Sequence, residues 1–213
     1  MTKKVLVVSV HPDDETLGCG GTLLKHKHDG DSIYCMFVTN GNSFQNNAIK
    51  KLNKMFGFDR IFQLDLPEII LDDISLSEII PKMSKVINNV KPDIIFLPNR
   101  SDPHSDHRRV FEASIAATKI FRYPFLKKVL MMEVISETDF APALPENAFI
   151  PNVFVDISQF FLKKLEIMNI FESELLDAPF TRSLSTLKAY NRYRGSQINV
   201  EYAEVFMLIK EIA

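Results

Sequence analysis

The chain reads as an α/β protein, a Rossmann-like, mostly parallel sheet with helices on both faces. Two observations predict this. The first half alternates strand-like apolar runs with helical segments four times, the pattern of βα units. The first run, KVLVVSV (residues 4–10), is unbroken, as a strand buried on both faces requires. The 213 residues suit one domain spanning 1–213, and 46% hydrophobic residues supply a core.

The elements follow in order. After the first strand, GGTLLKHKHDG (20–30) reads as a helix closed by Gly30, and SIYCMFVTNG (32–41) as a second strand. NNAIKKLNKMFGF (46–58) is helical with Gly57 as its stop, and RIFQLDL (60–66) is a third strand. SLSEIIPKMSKVINNV (75–90) is a helix whose Pro81 marks either a kink or a first-turn position. PDIIFLPN (92–99) is a fourth strand and HSDHRRVFEASIAATKIF (104–121) a long helix. KKVLMMEVIS (127–136) and NVFVDIS (152–158) are later strands, with helices at 159–175 and 181–193. The tail VEYAEVFMLIKEI (200–212) is mixed. No internal repeat, linker or low-complexity segment interrupts the pattern.

Charge excludes some classes of function. Lys plus Arg total 25 against 27 Asp plus Glu, which leaves no basic footprint for nucleic acid. The two cysteines, Cys19 and Cys35, form no CxxC, so a disulfide framework is not expected and a reducing compartment is. The N-terminal apolar run is too short for a signal peptide and meets Asp13, Asp14 and Glu15 at once. No run approaches the ~18 residues of a membrane span. These readings together point to a cytoplasmic protein; whether it forms a homo-oligomer is left open.

Ligands of parallel sheets sit beyond the carboxyl ends of strands. HPDDE lies just past the first strand and supplies His11, Asp13, Asp14 and Glu15. DPHSDH lies a few residues past the fourth and supplies Asp102, His104, Asp106 and His107. Pro12 stiffens the first turn, and Pro103 suits the start of a helix that would put His104 and His107 on one face. Two histidines and a carboxylate make a ligand set for catalytic zinc; nitrogen and oxygen donors without thiolate also admit iron, manganese or cobalt. A spare carboxylate beside such a metal can take a proton, and a spare histidine can stabilise an oxyanion. The plainer reading of each cluster is a turn or helix cap. What favours chemistry is that three of the five histidines fall in two acid-rich clusters at two strand ends. His26 and His28 read as a solvated helix face, and TLGCGGTLL lacks the Lys and spacing of a phosphate loop.

The sequence resembles the LmbE/PIG-L family of metal-dependent de-N-acetylases. HPDDETLGCGGTL (11–23) matches the first motif and DPHSDH (102–107) the second, while VTNG (38–41) and RGSQINVEYAEVF (194–206) resemble further elements. The resemblance implies an LmbE-like fold with its metal site at the strands' carboxyl ends. It implies His11, Asp14 and His107 as ligands of a zinc ion, with Asp13 as general base. It implies His104 as oxyanion stabiliser, with Asp106 orienting its ring and raising its pKa. The implied reaction removes acetate from an N-acetylglucosamine-like sugar, free or as a nucleotide sugar or glycoconjugate. Glu15 then supports the turn or bonds a backbone amide.

This chain departs from the family in the pocket wall. Gln45 and Ala48 stand where many members carry Arg and Glu, Glu68 stands where members often have Asp, and Asn199 replaces a frequent Gly. Arg108, Arg194, Tyr202 and Glu204 are candidates for substrate binding. Arg194 and Glu204 read equally well as a structural ion pair, and Arg108 as an exposed helix arginine. The alternative function is a non-catalytic sugar- or nucleotide-binding module. Loss of Asp13 or His104 would mark it, and both are present. A dinucleotide-binding enzyme would want GxGxxG after the first strand, where HPDDE stands instead.

Overall fold

The computed structural model describes residues 2–40 and 43–213, without the side chains of 43–46. Seven strands form one sheet: β1 (Lys4–Ser9), β2 (Ser32–Thr39), β3 (Arg60–Leu66), β4 (Ile94–Leu97), β5 (Lys128–Met132), β6 (Val153–Asp156) and β7 (Ala203–Glu211). Their order is β3-β2-β1-β4-β5-β7-β6. The first five pair in parallel, and β7 runs antiparallel to both β5 and β6. Among the described residues the α-helices are α1 (Asp14–His28), α2 (Ser43–Phe56), α3 (Leu76–Val90), α4 (Ser105–Ala116), α5 (Phe161–Met168) and α6 (Leu184–Ser196).

Alternation along β1 builds both cores. Val5 and Val7 face one side with Cys35, Phe37, Leu52 and Leu187, and so meet α2 and α6. Leu6 and Val8 face the other with Met36, Met83, Ile87 and Val110, and so meet α3 and α4. Every one of these β1 residues is fully buried, which is why the run is apolar without alternation.

Several sequence expectations shift. Helix α1 begins at Asp14 rather than at Gly20, so two of the three acids fall in its first turn, where the positive helix end favours them. Its backbone breaks at Cys19 (φ −146°, ψ 19°). The 181–193 helix starts at Leu184, capped by Ser183. The 159–175 helix divides into α5 and a 3₁₀ segment, Asn169–Glu174. The mixed tail is the strand β7. Pro81 lies inside α3, past its first turn, on the exposed face. His26 is half-buried and its Nδ1 lies 2.8 Å from Asp31 Oδ2, so it is not a solvated position. Both cysteines are free and buried. Among the described residues, no helix is long and apolar enough to cross a membrane.

Candidate active site

Sheet order reverses between β1 and β4, whose outgoing connections lead opposite ways and leave a crevice at the strands' carboxyl ends. HPDDE leaves β1 and DPHSDH leads into the first turn of α4, so the crevice gathers both. The nitrogens of His11 and His107 and a carboxylate oxygen of Asp14 all lie within 4.8 Å of one another.

Hydrogen-bond partners set the two rings. His11 Nε2 lies 3.1 Å from Asp106 Oδ2, which also accepts from the Ile69 amide at 2.7 Å. Asp106 Oδ1 accepts from the Leu71 amide at 3.1 Å. Against burial, His11 and these two amides hold Asp106 below the usual carboxylate range. An ionised carboxylate only accepts, so His11 carries its hydrogen on Nε2. Its Nδ1 lone pair is left 3.8 Å from Asp14 Oδ2. His107 is the opposite tautomer. Its Nδ1 donates to Asp102 Oδ2 at 2.9 Å, and its Nε2 lies 3.4 Å from Asp14 Oδ2. Asp102 is itself held by Asn99 and Thr138.

A divalent cation fits this donor set. Asp14 Oδ1 is buried without a hydrogen-bond partner, a state that is costly unless something positive meets it. Burial works to lower the His107 pKa, yet Asp14 and then Asp102 raise it to about 9. The pocket therefore calls for positive charge between His107 and Asp14, which a proton or a metal can supply. A second grouping, His11 with His104 and Asp106, is also close enough to ligate. There the Asp106 oxygens already accept three hydrogen bonds, so the first grouping suits a cation better.

Asp13 occupies a backbone conformation rare for a non-glycine residue, φ 145°, such as clusters at functional sites. Glu15, fully buried, helps hold it: Glu15 Oε2 accepts from the Asp13 amide at 3.2 Å and lies 2.9 Å from Ser9 Oγ. Burial raises Glu15 to about 7. Asp13 Oδ2 accepts from Arg182 Nη1 at 3.0 Å. Burial, then the neighbouring Asp14, push Asp13 well above the carboxylate range, and Arg182 opposes them.

His104 caps α4, its Nδ1 accepting from the Asp106 amide at 3.2 Å. This corrects the role expected of Asp106. The aspartate meets His104 through its backbone, while its carboxylate holds His11. The charge of Asp106 does raise the His104 pKa, as expected, but burial, then His11 and His107, outweigh it and lower the pKa overall. The capping bond leaves Nε2 as the nitrogen that carries hydrogen. His11, Asp13 and His104 line one cavity of about 260 Å³ with Glu68, Glu137 and Arg182. A cavity of about 490 Å³ at the β3 edge is larger, but it contains no histidine and none of the clustered carboxylates.

None of the four residues expected to bind substrate lines this cavity. Arg108 donates to the carbonyls of Asp102 and Pro103. Arg194 pairs with Glu133, its Nε 3.0 Å from Oε2. Tyr202 stacks on Phe161 with centroids 3.9 Å apart. Glu204 bonds Lys164 Nζ at 2.7 Å and takes the Gly21 and Thr22 amides freed where α1 breaks. Arg194 and Glu204 therefore do not pair with each other; each has a partner of its own. Ala48 is buried in the core and does not line the cavity, and the side chain of Gln45 lies outside the described residues. Asn199 adopts φ 65°, a left-handed conformation that Asn tolerates where members have Gly. Sequence reasoning missed Arg182; it named Asp102 and Asp106 but not the rings they hold, His107 and His11. The one signal for Arg182 was general: three adjacent acids need a counter-charge, and nothing local names the arginine that supplies it.

Comparison with known proteins shows the family and the fold. Residues 6–118, rather more than half of the chain, match the PIG-L family model, described as GlcNAc-PI de-N-acetylase. A diacetylchitobiose deacetylase of Thermococcus kodakarensis is 25% identical over 219 residues, covering 95% of this chain and 81% of the relative. Two solved structures share the fold. The N,N'-diacetylchitobiose deacetylase of Pyrococcus horikoshii superposes with a TM-score of 0.79 at 22% identity, covering 98% of this chain and 84% of that one. The 4-carboxy-2-hydroxymuconate hydratase GalB of Pseudomonas putida gives 0.74 at 18% identity, covering 100% and 98%. A hydratase on the same fold means that the fold alone does not choose the reaction.

Proposed function

We propose that this chain, which belongs to the PIG-L family of GlcNAc-PI de-N-acetylases, hydrolyses the acetamide of an N-acetylglucosamine-like sugar. The observation that carries the reading is one crevice holding two histidine lone pairs and an orphaned Asp14 oxygen, with Asp13 and His104 on the wall beside them. Names of similar proteins support the acetyl-sugar substrate.

His11, Asp14 and His107 would hold a divalent cation, zinc in the first place. Bound there, it supplies Lewis acidity, polarising the amide carbonyl and making a water more acidic. Asp13 takes a proton from the attacking water as the carbon–oxygen bond forms. As a carboxylate it can accept that proton and later return it. His104 donates from Nε2 to the carbonyl oxygen as negative charge gathers there. A neutral imidazole suffices for that donation. As the carbon–nitrogen bond breaks, Asp13 passes its proton to the departing amine, and acetate and the amino sugar remain. Arg182 keeps the Asp13 carboxylate aimed along one direction.

The test is acetate release from N,N'-diacetylchitobiose by zinc-loaded protein. Release is expected, falling ~10²–10⁴-fold in Asp13→Asn with zinc content unchanged. Sugar binding without acetate would indicate the non-catalytic module, and an Asp13→Asn variant of full activity would place the base elsewhere.

A further inference from the structure

The cavity wall is one-sidedly acidic. Asp13, Glu68, Glu137 and Glu174 line it, against one guanidinium, that of Arg182. Arg182 is also spoken for. It lies 3.0 Å from Asp13 and 3.6 Å from each of Glu137 and Glu174. Glu68 has a buried oxygen, Oε1, with no hydrogen-bond partner. That atom can only accept, so it awaits a donor from whatever enters. The arginines nearest in sequence to the metal motif turn elsewhere: Arg108 to the Asp102 and Pro103 carbonyls, and Arg109 to the Ile74 carbonyl. Residues 41–46, whose side chains are not described, contain no Lys or Arg. Counting Asp14, five carboxyl groups stand around the one guanidinium.

We infer that the site takes an acetamido sugar whose remaining part is neutral or carries a protonated amine, and turns away one bearing phosphate, sulfate or carboxylate. This rests on the proposed deacetylation and narrows its substrate. Like charges brought together in a partly buried site repel, and the carboxylates of the wall offer an anion no donor, while Arg182 is already engaged by three of them. A protonated amine and sugar hydroxyls do have donors, for Glu68 and for Glu174 at the rim. The phosphate in the family's described substrate would find no free cation among the described lining residues.

Calorimetric titration of zinc-loaded protein separates the two classes. The probes are the glucosamine disaccharide with both amines free, under mildly acidic conditions, and N-acetylglucosamine 6-sulfate, whose sulfate ester is a poor metal ligand. The disaccharide should bind at least about tenfold more tightly, with the advantage shrinking as salt rises. Glu68→Gln and Glu174→Gln should each narrow the ratio. Equal or tighter binding of the sulfate, or a ratio that neither substitution moves, overturns the inference. Acetate release from neutral N,N'-diacetylchitobiose is read separately: its absence counts against deacetylation itself, and its presence with tight sulfate binding counts against the charge selection alone.

Discussion

Asp106 holds His11, not His104: its Oδ2 lies 3.1 Å from His11 Nε2, while His104 meets only its backbone amide. Asp102 does the same for His107 from the other side. Each of the two candidate histidine ligands therefore has a carboxylate behind it that fixes its tautomer and strengthens it as a donor. Asp106→Asn and Asp102→Asn should each weaken zinc retention ~10–100-fold, measured by competition with a chromogenic chelator. His104→Ala should leave retention near wild type. A loss of zinc in His104→Ala with none in Asp106→Asn would reverse the assignment.

Arg182 sets the working range of Asp13. Burial and Asp14 push Asp13 up, and Arg182 pulls it down. Removing the guanidinium therefore raises the Asp13 pKa further. The base must be ionised to accept a proton, so Arg182→Ala should move the acidic limb of the kcat/KM profile to higher pH. An unmoved limb would mean that Arg182 does not act on the base.

The Lys164–Glu204 pair is buried on both sides, and it supports α1 rather than the chemistry. Glu204→Gln leaves the buried Lys164 ammonium without its counter-charge and puts an NH2 where an oxygen accepted hydrogen bonds. A loss of about 3–5 kcal/mol of stability is expected from such an orphaned charge, read from urea denaturation. Turnover per folded molecule should change little. An unchanged denaturation midpoint would contradict the structural role.

Much of this was legible in the sequence, for identifiable reasons. The unbroken KVLVVSV run gave a doubly buried strand, the two strand-end motifs gave neighbouring clusters of histidines and carboxylates, and the family resemblance singled out His11, Asp14 and His107 among them. Partnerships between side chains were not legible. Whether Asp106 faces His104 or His11 depends on how α4 sits against the loop that presents the Ile69 and Leu71 amides. Nor was the fate of Glu204, which answers a break in α1 at Cys19 that no proline announces. Tyr202 and Arg194 looked like site residues because their segment resembles a family element. In the fold that element braces the first helix and the sheet from behind.

The central claim is that a metal sits among His11, Asp14 and His107. Anomalous diffraction at the zinc edge, from crystals grown with zinc, tests it most directly. The account predicts one strong peak per chain, bordered by His11 Nδ1, His107 Nε2 and the Asp14 carboxylate, and its loss in His107→Ala. A peak bordered instead by His11, His104 and Asp106, or none within the crevice, would contradict it.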